Sequence, residues 1–74
     1  MTVDTPELIR KPAAMKISGI SSAQMYLLMR QNLYPQRIKL GRASAWVRSE
    51  VECWVRDRIE ERDVALLANR SNQK

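Results

Sequence analysis

The apolar positions of this chain change period from one segment to the next, and the changes mark out its elements. Met1 to Glu7 read as a loose leader, because Pro6 and mixed polar residues give no period, and Leu8 and Ile9 are the first expected core contacts. Pro12 suits a first helical position, and Ala13, Ala14, Met15, Lys16 and Ile17 continue as a short helix that Gly19 ends. Ser21 with Gln24 three residues on has the spacing of a capping box, which opens a second helix over Ser22 to Asn32. On that helix Met25, Leu28, Met29 and Asn32 share a stripe suited to burial, and Ala23, Gln24, Leu27, Arg30 and Gln31 project on the opposite side.

Pro35 is expected to stop the second helix, after which Gln36 to Leu40 alternate polar and apolar as a half-buried strand does. Ala43 to Val47 can return antiparallel, with Arg42 at the hairpin tip. A two-residue loop would put Trp46 on the face of Arg37 and Lys39. A three-residue loop, Gly41 to Ala43, puts it with Ile38 and Leu40 and is the expected register, because it allows the indole to be buried. Ser49 with Glu52 repeats the capping spacing, and Val51, Trp54, Val55, Arg58 and Ile59 make one face of a third helix. From Ala68 the apolar period is lost and a tail is expected.

The predicted fold is mainly α with a small β-hairpin, a winged helix-turn-helix over residues 8–67, between a leader (1–7) and a tail (68–74). Two helices about a Gly-containing turn equally describe a helical hairpin in a small bundle, so the turn alone does not choose. The charge pattern favours the first reading. Between Arg10 and Arg48 stand eight basic residues, Arg10, Lys11, Lys16, Arg30, Arg37, Lys39, Arg42 and Arg48, with no Asp or Glu among them. Such a run on a groove-fitting scaffold is the electrostatic footprint of a polyanion binder, although any one arginine could be a solvated charge.

Seventy-four residues without histidine and with Cys53 as the sole cysteine cannot assemble a disulfide framework or a Cys/His zinc site within one chain. An imidazole base, a Cys–His pair and a glycine-rich phosphate loop are all missing, so no enzyme, cofactor or small-molecule ligand is expected. The most hydrophobic stretch, Met25 to Met29, is too short to span a bilayer, and a cytoplasmic location is expected. Trp46 and Trp54 are read as core, with no chemistry assigned.

The order Ser18-Gly19-Ile20-Ser21, Tyr26, Tyr34-Pro35, Ile38-Lys39-Leu40-Gly41-Arg42, Trp46, Val51 and Trp54 resembles the AlpA family of prophage regulatory proteins, over about Leu8 to Ile59. That family is similar in turn to small phage excisionases and to the MerR-type DNA-binding domain. The resemblance implies a winged helix-turn-helix on double-stranded DNA, acting as a transcriptional regulator or as an excisionase that directs a phage-type integrase. By position, Ser22, Ala23, Gln24 and Leu27 would face the bases, and Ser21, Tyr26, Arg30, Arg37, Lys39, Arg42 and Ser44 the backbone or minor groove. The chain departs from the common pattern at Ser22 and Leu27, where arginine is frequent, and its turn before Trp46 looks one residue shorter.

The chemistry of these residues fits such roles. The Gln24 amide can pair with adenine N6 and N7, or simply complete the cap of Ser21. Leu27 and Ala23 suit a thymine methyl, though an isolated surface leucine needs no function. Ser21 and Ser22 at a helix start suit a phosphate, and Arg42 at the tip suits a minor groove. One small domain reads few base pairs, so oligomerisation on DNA or a protein partner is expected to supply further specificity. A reading of another class is a protein-interaction adaptor that uses Leu27, Val64 and Leu67, with the basic region serving solubility.

Overall fold

The protein is described from a computed structural model covering residues 5–72, and side chains for residues 5–68. Its elements are β1 (Leu8–Arg10), α1 (Lys11–Ser18), α2 (Ser22–Arg30), β2 (Ile38–Leu40), β3 (Ala43–Val47) and α3 (Arg48–Asn72). The three strands form one antiparallel sheet in the order β1-β3-β2, so the winged helix-turn-helix expected from the sequence is present with one strand added.

Local signals account for the first half of the fold. Pro12 lies in the first turn of α1, where a missing N–H leaves no partner unsatisfied. Gly19 ends the helix in the left-handed region at φ 72, and its amide donates to the Met15 carbonyl at 2.7 Å. Ser21 caps α2, its Oγ accepting from the Gln24 amide at 3.2 Å.

The end of α2 differs from the expectation. The helix closes at Arg30, well before Pro35, because Asn32 adopts φ 61. The Leu33 amide then donates to the Leu28 carbonyl at 2.8 Å and the Asn32 amide to Met29 at 3.1 Å, the paired bonds of a Schellman motif. Asn32 is therefore exposed and outside the buried stripe, which consists of Met25 and Met29 with Leu28 at its margin.

The hairpin register also corrects the expectation. Leu40 pairs with Ala43, Lys39 with Ser44 and Ile38 with Ala45, so Gly41 and Arg42 alone form the loop. Gly41, at φ 64, supplies the positive φ that a type II′ turn requires at its first central position. Trp46 consequently belongs to the face of Ser44 and Lys39, and it is still fully buried. The reason is β1, which pairs Leu8 with Val47, Ile9 with Trp46 and Arg10 with Ala45. With β3 central, Ile9 and Trp46 meet the helices, and Lys39 on the edge strand reaches solvent beyond them. Ile38 and Leu40 lie on the other face and stay 38% and 44% exposed.

The capping box expected at Ser49 is not formed. Arg48 already starts α3, its amide donating to the Glu7 carbonyl at 2.8 Å and its Nε to Glu52 at 2.9 Å. Glu52 is thus spent on an arginine instead of on the helix terminus. The third-helix face follows the expected pattern at its start, with Val51 fully buried and Trp54 and Val55 half-buried, but Arg58 and Ile59 are exposed. The helix then continues to Asn72, past Ala68 where a tail was expected. Residues 1–4 of the leader and residues 73 and 74 of the tail lie outside the described residues.

The core is Ile9, Ala14, Met25, Met29, Tyr34, Trp46 and Val51, drawn from every helix, from β1 and β3, and from the loop before β2. Burying each larger apolar side chain contributes roughly 1.5–3 kcal/mol. Trp46 Nε1 is the one buried side-chain polar atom without a partner among the described residues. The core fixes α2 against the sheet, which sets the distance from helix to wing.

Candidate nucleic-acid interface

The exposed side of α2 carries Ala23, Gln24, Leu27 and Arg30, with Leu27 47% exposed. These four point away from the Met25 and Met29 stripe, so the structure brings together three of the four predicted base-facing residues and Arg30. Ser22 sits apart from them. It is half-buried at the margin of the core, and its Oγ accepts from Lys11 Nζ at 3.3 Å.

Tyr26 is the joint between helix and wing. Lys11 Nζ lies 5.3 Å from its ring centroid and the Arg37 guanidinium 5.9 Å away, both within cation–π range. Lys11 opens α1 and Arg37 precedes β2, so one aromatic ring of α2 gathers a cation from each neighbouring element. Gln36 fixes the start of the wing, since its Nε2 donates to the Met29 carbonyl at 3.0 Å and to the Tyr34 carbonyl at 3.3 Å. From there Arg37, Lys39 and Ser44 continue along one side of the hairpin, with Arg42 exposed at its tip.

Among the described residues, ion pairs involve only Arg48, Arg58 and Arg62. Arg48 closes the acid-free run but is committed to structure. Its guanidinium pKa is raised first by the hydrogen bond to Glu52 and then by the charge of Glu7. The remaining cations of the run, including Lys11, Arg30, Arg37, Lys39 and Arg42, face no carboxylate within ion-pair distance among the described residues. Like charges held around Tyr26 without a counter-charge repel, and an incoming anion relieves that repulsion. Lys11 is the residue that sequence reasoning placed least well. It is eleven positions from Ser22, and no spacing rule links the first residue of one helix to the first of the next.

Among the described residues, no group of acidic or cysteine side chains could hold a metal ion, and no helix is long and apolar enough to cross a membrane.

Residues 7–59 match the family model described as prophage CP4-57 regulatory protein (AlpA). The uncharacterized protein ORF88 of Enterobacteria phage P4 is 36% identical over 52 residues, which is 69% of this chain and 59% of that relative. The chain thus spans less than two thirds of the length of that curated relative. No solved structure matches the chain. The family match covers the helix-turn-helix, the wing and the start of α3, and on it the chain belongs to the AlpA family of prophage regulatory proteins.

Proposed function

We propose that this protein binds specific double-stranded DNA, with α2 in the major groove and the β2–β3 hairpin along the adjacent backbone or minor groove. One observation carries the reading. Lys11, Arg30 and Arg37, none of them ion-paired among the described residues, lie on or against α2 beside its uncharged face of Ala23, Gln24 and Leu27, and Lys39 and Arg42, equally unpaired, continue the charge along the hairpin. Cations at the border suit phosphates, and a neutral centre suits base edges, which is the division of labour of a DNA-reading helix. Ser21, Ser22 and Tyr26 seat the helix start on the backbone, Ser44 supports the wing, and Arg42 reaches the minor groove.

Membership of a prophage regulatory family supports a role in phage or genomic-island regulation. Control of a promoter and direction of an integrase toward excision both use the same act, seating a small protein on a chosen duplex. Footprinting on the intergenic DNA beside the gene tests the reading. Protection of discrete sites is expected, and binding to a protein partner with no retardation of any duplex at low salt would favour the adaptor instead.

A further inference from the structure

The exposed side of α2 offers one amide and two aliphatic groups, and no charge over its first two turns. Ala23, Gln24 and Leu27 lie within an arc of about 100° around the helix, opposite the buried Met25 and Met29. The Gln24 side-chain amide is free for a ligand, since only the backbone amide of that residue serves the cap of Ser21. The nearest cations are turned elsewhere. Lys11 is held against Ser22 Oγ at 3.3 Å and, like Arg37, against the Tyr26 ring, on the flank of α2 beside the buried stripe. Arg30 is the last residue of the helix, whereas a recognition helix meets base edges with its N-terminal residues.

Each base asks for a different partner in the major groove. Guanine presents two acceptors, N7 and O6, and calls for an arginine or lysine, while cytosine presents a donor and calls for a carboxylate. α2 contains no Asp or Glu, and its first two turns contain no Arg or Lys. Adenine presents an acceptor beside a donor, which a single amide matches, and thymine presents a methyl group, which an aliphatic side chain covers. Gln24 supplies that amide. Leu27, 47% exposed, stands three residues from it and four from Ala23, so the three side chains are neighbours on one surface.

We propose that the sequence under α2 is a short run of A·T pairs, with Gln24 on an adenine and Leu27, with Ala23 beside it, on the thymine methyl groups of adjoining pairs, and that Leu27 sets this preference. The inference rests on the DNA-binding reading above and deepens it from duplex DNA to a class of sequence. The apolar contact discriminates twice. It takes a thymine methyl and an exposed leucine out of water together. A G·C pair in the same place offers Leu27 no methyl and sets N4 of cytosine or O6 of guanine against a side chain that cannot pair with it.

Selection of duplexes from a random pool by the full chain, followed by titration of the recovered site, tests it. The recovered core is expected to contain adjacent A·T pairs. Replacing its thymines one at a time by uracil removes only the C5 methyl, and at the position under Leu27 this is expected to weaken wild-type binding about fourfold, the worth of one such group taken out of water. Leu27→Ala, at an exposed position where loss of folding is not at issue, is expected to bind the thymine and uracil duplexes alike at that position. Replacing the same pair by G·C is expected to cost the wild type about tenfold or more, and Leu27→Ala less. A recovered core of G·C pairs would overturn the inference, as would uracil duplexes bound as tightly as thymine ones throughout, or a uracil penalty undiminished in Leu27→Ala; each of these leaves DNA binding itself standing. A pool in which no duplex is enriched, with no retardation of any duplex at low salt, would overturn the DNA-binding reading and this inference with it.

Discussion

Tyr34 and Trp54 meet edge to face, with ring centroids 5.0 Å apart and planes at 66°, and between them they tie the end of α2 to the scaffold. The Trp54 indole donates to the Leu33 carbonyl at 2.7 Å, and the Tyr34 hydroxyl donates to Ser18 Oγ at 3.2 Å. Ser18 closes α1 and Trp54 lies in α3, so the segment leaving α2 is anchored to both other helices. An edge-to-face pair contributes about 0.5–1.5 kcal/mol beyond its buried area.

Tyr34→Phe keeps the ring and removes the hydroxyl, and is expected to cost about 1 kcal/mol in denaturant unfolding. It should also change the pH dependence. Burial raises the Tyr34 pKa above 10.0, and the bond with Ser18 opposes this only in part. The fold therefore favours the neutral phenol: this contribution is complete below the unfolded value near 10.0 and is lost as pH rises through the folded value. Wild type should lose stability above pH 10.0 more steeply than Tyr34→Phe. Equal slopes for the two proteins would show that Tyr34 does not titrate in this way.

Met25→Ala removes a fully buried side chain where α2 meets the core, and is expected to destabilise by about 2–5 kcal/mol. A domain this small holds only roughly 5–15 kcal/mol in all, so the thermal midpoint should fall sharply. Leu27→Ala, on the exposed side of the same helix, should leave it within about 0.5 kcal/mol of wild type.

Gly41→Ala tests the hairpin register. Nothing lies within 4 Å of the added Cβ, so its cost is conformational, about 1–2 kcal/mol for holding a non-glycine residue at φ 64. A three-residue loop with another residue in the left-handed position would predict little change.

Local chemistry made the helix-turn-helix legible in the sequence. Gly19 and Ser21 act within a few residues of themselves, and they gave the end of α1 and the start of α2 correctly. The misplaced features depend on distant partners. Three residues of β1 find their ladder at Ala45 to Val47, which nothing near Leu8 announces. Without β1, burial of Trp46 requires the three-residue loop; with β1 paired to β3, the two-residue loop buries it instead. Glu52 has the spacing of a helix cap, but Arg48, itself held by Glu7, takes its carboxylate. In the candidate site, the exposed face of α2 followed from periodicity, whereas the meeting of Lys11 and Arg37 at Tyr26 is tertiary and leaves no pattern in the sequence.

Tyr26→Ala should weaken binding to all duplexes alike, by about 1–2 kcal/mol, because it releases Lys11 and Arg37 together. Tyr26→Phe, which keeps the ring, should retain most of the affinity. Quantitative gel retardation on matched specific and random duplexes distinguishes this from readout. Gln24→Ala should cost about 1–3 kcal/mol on the specific site and little on random DNA, whereas Lys39→Ala should lower both equally. In the structure only the Gln24 backbone amide serves the cap, so a Gln24→Ala chain with unchanged preference would show that its side chain does not read the bases.

The most direct test of DNA recognition by α2 and the wing is the salt dependence of duplex affinity. Lys11, Arg30, Arg37 and Lys39 each neutralise a phosphate in this account and Arg42 adds its charge in the minor groove, where it also displaces counterions, so log affinity should fall with log salt at a slope of roughly −4 to −5. Neutralising Lys39 alone should reduce the slope by about 1. A slope near zero, or one unchanged when Lys39 is removed, would contradict it.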